Sequence, residues 1–168
     1  MAVENKYVDS DLSVGKLGNP AFISGAEAQS QIFNFEVAAA DDDGSIYRIA
    51  RSVNPNLIVK SITIYNDAIT AGTDYDVGLY RPLHDGIAGE VKDADAFAAT
   101  LDMSSAASKA PPKDGTSAIA IENIQQKIYE LAGDTVQNKE AGYDIAITAN
   151  TVGSLAGTIS GIIEYVHG

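Results

Sequence analysis

Two tyrosine–aspartate pairs stand out in this 168-residue chain because their types and spacing could do acid–base chemistry. Tyr75 and Asp76 lie in DYDVGLY, and Tyr143 and Asp144 lie in GYDIAIT, so one pattern occurs twice. A phenol beside a carboxylate can exchange a proton with a bound substrate. On a strand, however, neighbouring side chains point to opposite faces, so each tyrosine joins the apolar face and its aspartate the other face. The alternation therefore favours two equivalent strands over a catalytic site.

Small residues follow both aspartates at the same spacing. Gly78 lies two residues after Asp76, and Ala146 lies two residues after Asp144. A small residue inside a strand leaves room for another segment to approach closely. Two alternatives stay open for that segment: the chain's own helix and N-terminal arm, or a neighbouring copy of the protein.

His84 and Asp85 form a second candidate, since histidine beside a carboxylate can activate a nucleophile. The chain has no cysteine and no G-x-S-x-G pattern, although a serine elsewhere in the sequence stays an alternative nucleophile. The surrounding HDGIAG has the Asp-Gly chemistry of an exposed turn. We therefore expect no catalytic residues and no enzyme activity.

The run Asp41, Asp42, Asp43, Gly44 and Ser45 offers the hard oxygen ligands that Ca²⁺ prefers. An EF-hand register with glycine at its sixth position would begin at an alanine, so the template fails. Phosphate-binding patterns of the types G-x-x-x-x-G-K-[ST] and G-x-G-x-x-G are absent. We predict a solvated acidic turn and no metal or cofactor, with a calcium site of another type as the alternative.

The charge balance narrows the classes of partner. The chain has 23 acidic and 11 basic residues, a net charge of −12, and neither cysteine nor tryptophan. Such a surface repels nucleic acid and anionic membranes, so we expect neither as a partner. No apolar run reaches the roughly 18 residues of a membrane span, and the first residues do not resemble a signal peptide. The sequence therefore predicts one cytosolic domain.

Alternation of apolar and polar residues predicts at least six strands separated by short turns. The predicted strands are 31–37, 45–50, 57–65, 73–80, 142–149 and 158–166. Residues 61–80 have the pattern of a β-hairpin with a polar tip. In the last strand, Ile159, Ile163 and Tyr165 share one face.

The other segments differ in character. Residues 121–132 carry apolar side chains at helical spacing, and Gly133 suits the C-terminal cap of a helix. Residues 93–101, DADAFAATL, are rich in alanine and suit one or two helical turns. Residues 1–29 are rich in turn signals and are interpreted as an extended N-terminal arm. Without regular βαβ units, residues 30–168 are predicted to form an antiparallel, jelly-roll-like β-sandwich, mainly β with one or two short helices.

The order of these segments resembles a known family. The patterns NDAIT-x-x-x-DYD-x-GLY and YD-x-A-x-TANTVG, with KDADAFAATLDMSSA and KIYELAGD between them, are similar to the capsid decoration (cement) proteins of tailed bacteriophages. These are small structural proteins encoded beside the major capsid protein. The resemblance covers residues 30 to 166.

The resemblance implies a virion structural protein with a jelly-roll β-sandwich. It implies a homotrimer, made in the host cytoplasm, that binds the outer capsid surface and clamps neighbouring major capsid proteins. It brings no catalytic residues. Two alternatives remain, namely a tail or fibre module and a carbohydrate-binding β-sandwich. The latter is the weaker because the chain has no tryptophan and most tyrosines are predicted to face inward.

Overall fold

The computed structural model describes residues 5–7, 29–83, 89–109, 125–135 and 142–167. Within these ranges the chain forms nine strands and one short helix. In chain order they are β1 (Asn5–Tyr7), β2 (Gln29–Val37), β3 (Ser45–Val53), β4 (Leu57–Asn66), β5 (Asp74–Tyr80), β6 (Val91–Leu101), β7 (Ala107–Lys109), α1 (Ile128–Leu131), β8 (Tyr143–Thr151) and β9 (Gly157–His167).

The strands form two packed sheets. One sheet has the order β1-β3-β8-β5-β6, and the other has the order β2-β9-β4-β7. All pairs are antiparallel except that of β1 with β3, which is parallel. Without β1, this is the jelly-roll arrangement of two four-stranded sheets. Successive strands from β2 to β9 alternate between the sheets, except that β5 and β6 are paired within one sheet. The predicted antiparallel β-sandwich is confirmed.

The core lies between the inward faces of the two sheets. Tyr75, Val77 and Leu79 of β5 are fully buried there, as the alternation predicted. On the facing sheet, Ile159 and Ile163 are fully buried as well. Burying an aromatic or branched side chain stabilises the folded state by about 1.5–3 kcal/mol relative to leaving it exposed. The alternating pattern therefore favours packing of the two sheets against each other.

The hairpin predicted for residues 61–80 is wrong. The strands of this stretch, β4 and β5, lie in different sheets. The loop between them crosses the sandwich, where Ile69 is fully buried and its N–H donates to the carbonyl of Met103 at 2.9 Å. Period-two alternation marks a strand and its buried face, but it does not say which strand is the partner.

The helical turns predicted for residues 93–101 are also wrong, because this stretch belongs to β6. Its Phe97, Ala98 and Leu101 enter the core, and tertiary packing decides the local structure against the helical preference of alanine. In the ladder with β5, Val77 opposes Ala98 whereas Leu79 opposes Asp93. The residues between Asp93 and Ala98 therefore form a large bulge in β6, because four residues of β6 lie against the single residue Gly78 of β5.

The helix predicted for residues 121–132 is shorter than expected. Residues 121–124 lie outside the described ranges, residues 125–127 are not helical, and α1 begins only at Ile128. Gly133 follows the helix with φ +72°, and its N–H donates to the carbonyl of Glu130 at 3.0 Å. The predicted role of Gly133 as the C-terminal cap is confirmed.

Most of the expected N-terminal arm, residues 1–29, lies outside the described ranges. Its described part is β1 and the first residue of β2, and β1 extends the five-stranded sheet beside β3. No helix in the described ranges is long and apolar enough to cross a membrane.

Candidate functional site

The two tyrosine–aspartate motifs lie on adjacent strands of one sheet. β5 and β8 pair side by side, and Gly78 is directly opposite Ala146. Each of these two residues lies three positions after the tyrosine of its own motif. Because the strands are antiparallel and these equivalent residues are opposite each other, a local two-fold axis through the pair relates one motif to the other. The interpretation of the motifs as equivalent strands is therefore correct.

The repeated aspartates support bulges in the strands next to them. Asp144 Oδ1 accepts the N–H of Ser52 on β3 at 2.8 Å, and Asp76 Oδ1 accepts the N–H of Thr100 on β6 at 2.9 Å. Ser52 and Thr100 have positive φ values, 47° and 54°, which residues other than glycine rarely adopt. Each aspartate thus stabilises a strained residue at an irregular point of the neighbouring ladder.

The second oxygens of the aspartates differ in their partners. Asp144 Oδ2 accepts from Arg48 Nη1 at 2.8 Å, and both side chains of this ion pair are fully buried. Asp76 Oδ2 accepts from Asn150 Nδ2 at 2.6 Å near the surface. Sequence reasoning missed Arg48, which alternates with buried Tyr47 along β3. An arginine between two apolar residues, Tyr47 and Ile49, in a predicted strand is the signal that could have found it.

The tyrosines do not contact the aspartates of their own motifs. Tyr75 donates to the carbonyl of Val152 at 2.6 Å, and Tyr143 donates to Asp134 after α1. Burial raises the pKa of Tyr143 to about 12, and the hydrogen bond to Asp134 adds to that shift. The motifs therefore hold no acid–base pair.

Asp134 joins three segments of the chain. It accepts from Tyr143 of β8, from Arg81 Nη2 at 2.7 Å and from Lys92 Nζ at 3.0 Å. Burial raises the pKa of this carboxyl, but the hydrogen bonds from Tyr143 and Lys92 and the charges of Arg81 and Lys92 together hold it below its ordinary value. This network ties the segment after β5, the start of β6 and the segment after α1 to the sheet.

The narrow place at Gly78 is covered by the chain itself. A Cβ on Gly78 would lie 2.2 Å from the carbonyl oxygen of Asp93 and 2.3 Å from that of Ala94. Gly89 approaches the same face, where its Cβ would lie 2.8 Å from Arg48 Nη2. The bulge of β6, rather than a helix or a neighbouring copy, therefore closes this position. Ala146, opposite Gly78, is fully buried as well.

The acidic turn has a structural role. Asp41 is buried rather than solvated, and its Oδ2 accepts from the Tyr47 hydroxyl at 2.6 Å and from the N–H of Ala38 at 3.1 Å. Asp43 accepts the N–H of Val152 at 2.9 Å. In the described ranges, no group of three or more metal-ligating side chains gathers. His84 and Asp85 lie outside these ranges.

The outer face of the four-stranded sheet carries exposed apolar side chains. Ile32 of β2 and Ile162 of β9 are directly opposite each other and are 47% and 38% exposed. Tyr65 of β4 is 49% exposed. It is opposite Ser160, which lies two residues before Ile162 on β9, so it points to the same side of the sheet. We call this surface, centred on Ile32, Ile162 and Tyr65, the open face. The double isoleucine in SGIIEYV was its sequence signal, since one of two adjacent residues on a strand must point outward.

Charges lie at the ends of the open face and not at its centre. At one end, Lys60 and Glu164 pair at 3.4 Å, and Glu164 also accepts from Ser61 at 2.7 Å. At the other end lies Glu36, opposite Thr158. Among the residues that the structure describes, the centre of the open face therefore carries no charged side chain, although the chain as a whole has a net charge of −12.

The fold and these surfaces define a jelly-roll sandwich with one outer sheet face packed by its own chain and one exposed. No protein-family model and no curated protein matches the sequence. Among solved structures, a chain of the capsid of Ralstonia phage GP4 is similar over 97% of this chain and 99% of its own length, with a TM-score of 0.62 and 16% identity. A chain of the cyanophage Pam1 capsid asymmetric unit is similar over 90% of this chain and 93% of its own length, with a TM-score of 0.48 and 14% identity. The likeness to the GP4 chain shows a shared fold.

Proposed function

We propose that this chain is a virion structural protein of a tailed bacteriophage that binds the outer surface of the assembled capsid. The observation that carries the proposal is the fold likeness to a chain of the Ralstonia phage GP4 capsid, which extends over nearly the full length of both chains. The order of sequence segments, which resembles capsid decoration proteins, supports the same role. The role is structural and not enzymatic.

In this role the protein stabilises the shell by clamping neighbouring major capsid proteins. A ligand that binds only the assembled form stabilises that form by about 2.7 kcal/mol per site when its concentration is 100 times its Kd. Many copies on one shell add their contributions. A clamp must resist deformation, and the buried Arg48–Asp144 pair and the Asp134 network tie the strands and covering segments of one sheet together.

Phage particles made with and without the gene test this proposal. We expect the purified chain to bind particles that lack it, to occupy the outer capsid surface in cryo-electron microscopy, and to raise the temperature at which those particles release DNA. Density for the chain in the tail or fibres, with none on the capsid, would favour the tail-module alternative and overturn the proposal.

The proposed homotrimer has its own measurement. Light scattering on the purified protein is expected to give three times the 17.6 kDa of one chain. A monomer at every concentration tested would remove the trimer from the proposal and leave capsid binding to be judged separately.

The carbohydrate-binding alternative has less support. Sugar sites rely on exposed aromatic rings, and in the described ranges the large apolar side chains that are exposed include one aromatic, Tyr65. Specific binding on a glycan array that is lost in Tyr65→Ala would favour this alternative over capsid binding.

A further inference from the structure

We propose that the open face is the surface by which the protein docks on the capsid shell, and that it meets an uncharged, apolar protein surface there. This inference rests on the proposed function and assigns its contact surface. It starts from the three exposed side chains Ile32, Ile162 and Tyr65, which lie together on three neighbouring strands.

The three apolar side chains of the open face are neighbours on one outward surface, with polar Ser160 and Thr63 beside them. Ile32 and Ile162 are directly opposite across the β2–β9 ladder. Tyr65 is opposite Ser160, which places it diagonally about 7–8 Å from Ile162, within reach of an aromatic ring. Thr63 fills the position opposite Ile162 on β4. A group of neighbouring exposed apolar side chains is a stronger sign of an interaction site than a single exposed apolar residue.

The charge distribution decides the chemistry of the partner. The acidic chain would attract a basic partner through its charged surface. No charged side chain of the described ranges lies at the centre of the open face, however, and Lys60 and Glu164 at its end form an ion pair with each other. A charged surface placed against Ile32 and Ile162 would lose its hydration without gaining an ion pair. An apolar partner surface loses nothing there, and Glu36 at one end can meet a cationic group at the rim of the contact.

The size of the patch decides between a second copy and the shell. Strand spacing and rise give the three central side chains and their neighbours an area of about 300–400 Å². A stable pair in solution buries about 800 Å² on each partner. The open face alone is therefore too small to hold two copies together in solution. It suits a contact repeated many times on an assembled lattice, where other contacts of the same protein add to it.

The other sheet of the sandwich does not offer an equivalent surface. Its outer side at Gly78 is closed by the backbone of Asp93 and Ala94, and Arg48, Asp144 and Ala146 on that side are buried. Of the two outer sheet faces in the described ranges, the open face is thus the one with exposed apolar side chains at its centre.

Three single substitutions test the assignment. Ile32→Asp and Ile162→Asp place a charge in the centre of the open face, and Val91→Asp places the same charge at a 51% exposed branched residue of β6 in the other sheet. Binding is measured by co-sedimentation of purified protein with particles that lack the gene product. We expect the first two variants to bind at least about tenfold more weakly, and Val91→Asp to bind within about twofold of the wild type.

The outcomes separate this inference from the proposed function. If the wild type does not bind the particles, the proposed function fails. If the wild type binds and both isoleucine variants bind equally well, the function stands and the open face is the wrong surface. If Ile162→Asp dissociates an oligomer and still binds particles, the face meets a second copy, and the inference is overturned.

Folding controls accompany the binding measurements. Thermal melts and circular dichroism are recorded for each variant. If an aspartate variant unfolds, Ile162→Thr and Tyr65→Ser replace it, because both remove apolar surface without placing a charge in the sheet. Wild-type binding by both of these folded variants would overturn the inference in the same way.

Discussion

At the scale of single residues, the repeated aspartates show how one motif serves two environments. Asp76 and Asp144 both accept a backbone N–H from a residue with positive φ, yet only Asp144 also neutralises a buried arginine. Burying an ion pair costs desolvation energy that the attraction between the charges only partly offsets. The additional hydrogen bond from Ser52 to Asp144 helps to satisfy that buried carboxylate.

Asp144→Ala and Asp76→Ala form a matched pair of substitutions. Asp144→Ala leaves the Arg48 charge buried without its carboxylate, so we expect the free energy of unfolding to fall by about 3–5 kcal/mol. Asp76→Ala removes hydrogen bonds near the surface and should cost about 0.5–1.5 kcal/mol. Urea unfolding measures both values.

Equal losses in the two variants would contradict the role given to the buried ion pair. The double variant Arg48→Met/Asp144→Leu gives a second check, because it removes both charges together. It should be more stable than Asp144→Ala alone, since no charge is left buried without a partner.

Asp134 makes stability depend on pH in the acidic range. Its folded pKa is held below the ordinary value, so its contribution is fully present above the unfolded pKa of about 3.9 and is lost as the pH falls through the folded pKa. We expect Asp134→Asn to flatten the decline of the free energy of unfolding below about pH 4. Tyr143→Phe, which removes one of the donors to Asp134, should flatten it in part. An unchanged acid slope in both variants would contradict this assignment.

At the scale of elements, the bulge of β6 is the feature that closes one outer face of the sandwich. It lies so close to β5 that no Cβ fits at Gly78. The clash is with backbone atoms of Asp93 and Ala94, which cannot rotate away as a flexible side chain could. Glycine at this position is therefore required by close approach, although its φ is not in the left-handed region.

Gly78→Ala should destabilise the protein by about 3 kcal/mol or more, because the added methyl group must push the β6 backbone away from the sheet. Gly133→Asn is the control: nothing lies within 4 Å of a Cβ there, and asparagine tolerates the positive φ of a helix cap. It should cost less than about 1 kcal/mol. Thermal melts of both variants check the prediction, and a near-neutral Gly78→Ala would show that the bulge can move.

Sequence reasoning predicted most strands because apolar alternation is a local property. It identified the buried faces of β5, β8 and β9 through residues such as Tyr75, Ile145 and Ile163. It failed where the outcome depends on distant residues. The partner of β4, the strand state of β6 and the burial of Asp144 follow from sheet pairing and from covering segments, which no local pattern of residues reports.

The candidate surfaces show the same limit. The role of the two motifs as equivalent strands could be predicted, because period-two alternation separates each tyrosine from its aspartate. The open face could have been predicted in part from Ile162, which must point outward once Ile163 points inward. Its position beside Ile32 and Tyr65 could not be predicted, because these residues come from three strands that are far apart in the sequence.

At the scale of the whole molecule, buried tyrosines link the two sheets to the protonation state of the protein. Burial raises the pKa of Tyr47, Tyr75 and Tyr80 in the five-stranded sheet and of Tyr165 in the four-stranded sheet. A raised folded pKa contributes stability that is fully present below the unfolded pKa of about 10 and is lost as the pH rises above it. Stability should therefore fall steeply in alkali.

The expected steepness follows from the number of these groups. Each tyrosine that is ionised in the unfolded state and neutral in the folded state removes about 1.4 kcal/mol per pH unit, so the losses from the buried tyrosines add up as the pH rises above 10. Tyrosinate absorbance and far-ultraviolet circular dichroism, recorded together from about pH 9 upward, should show the buried tyrosines ionising only as the strands are lost.

Tyr75→Phe removes one such tyrosine and its hydrogen bond to Val152, so it should make the loss of stability with rising pH shallower. Ionisation of all tyrosines near pH 10 with the sheet signal intact would contradict the buried positions on which the packing of both sheets depends.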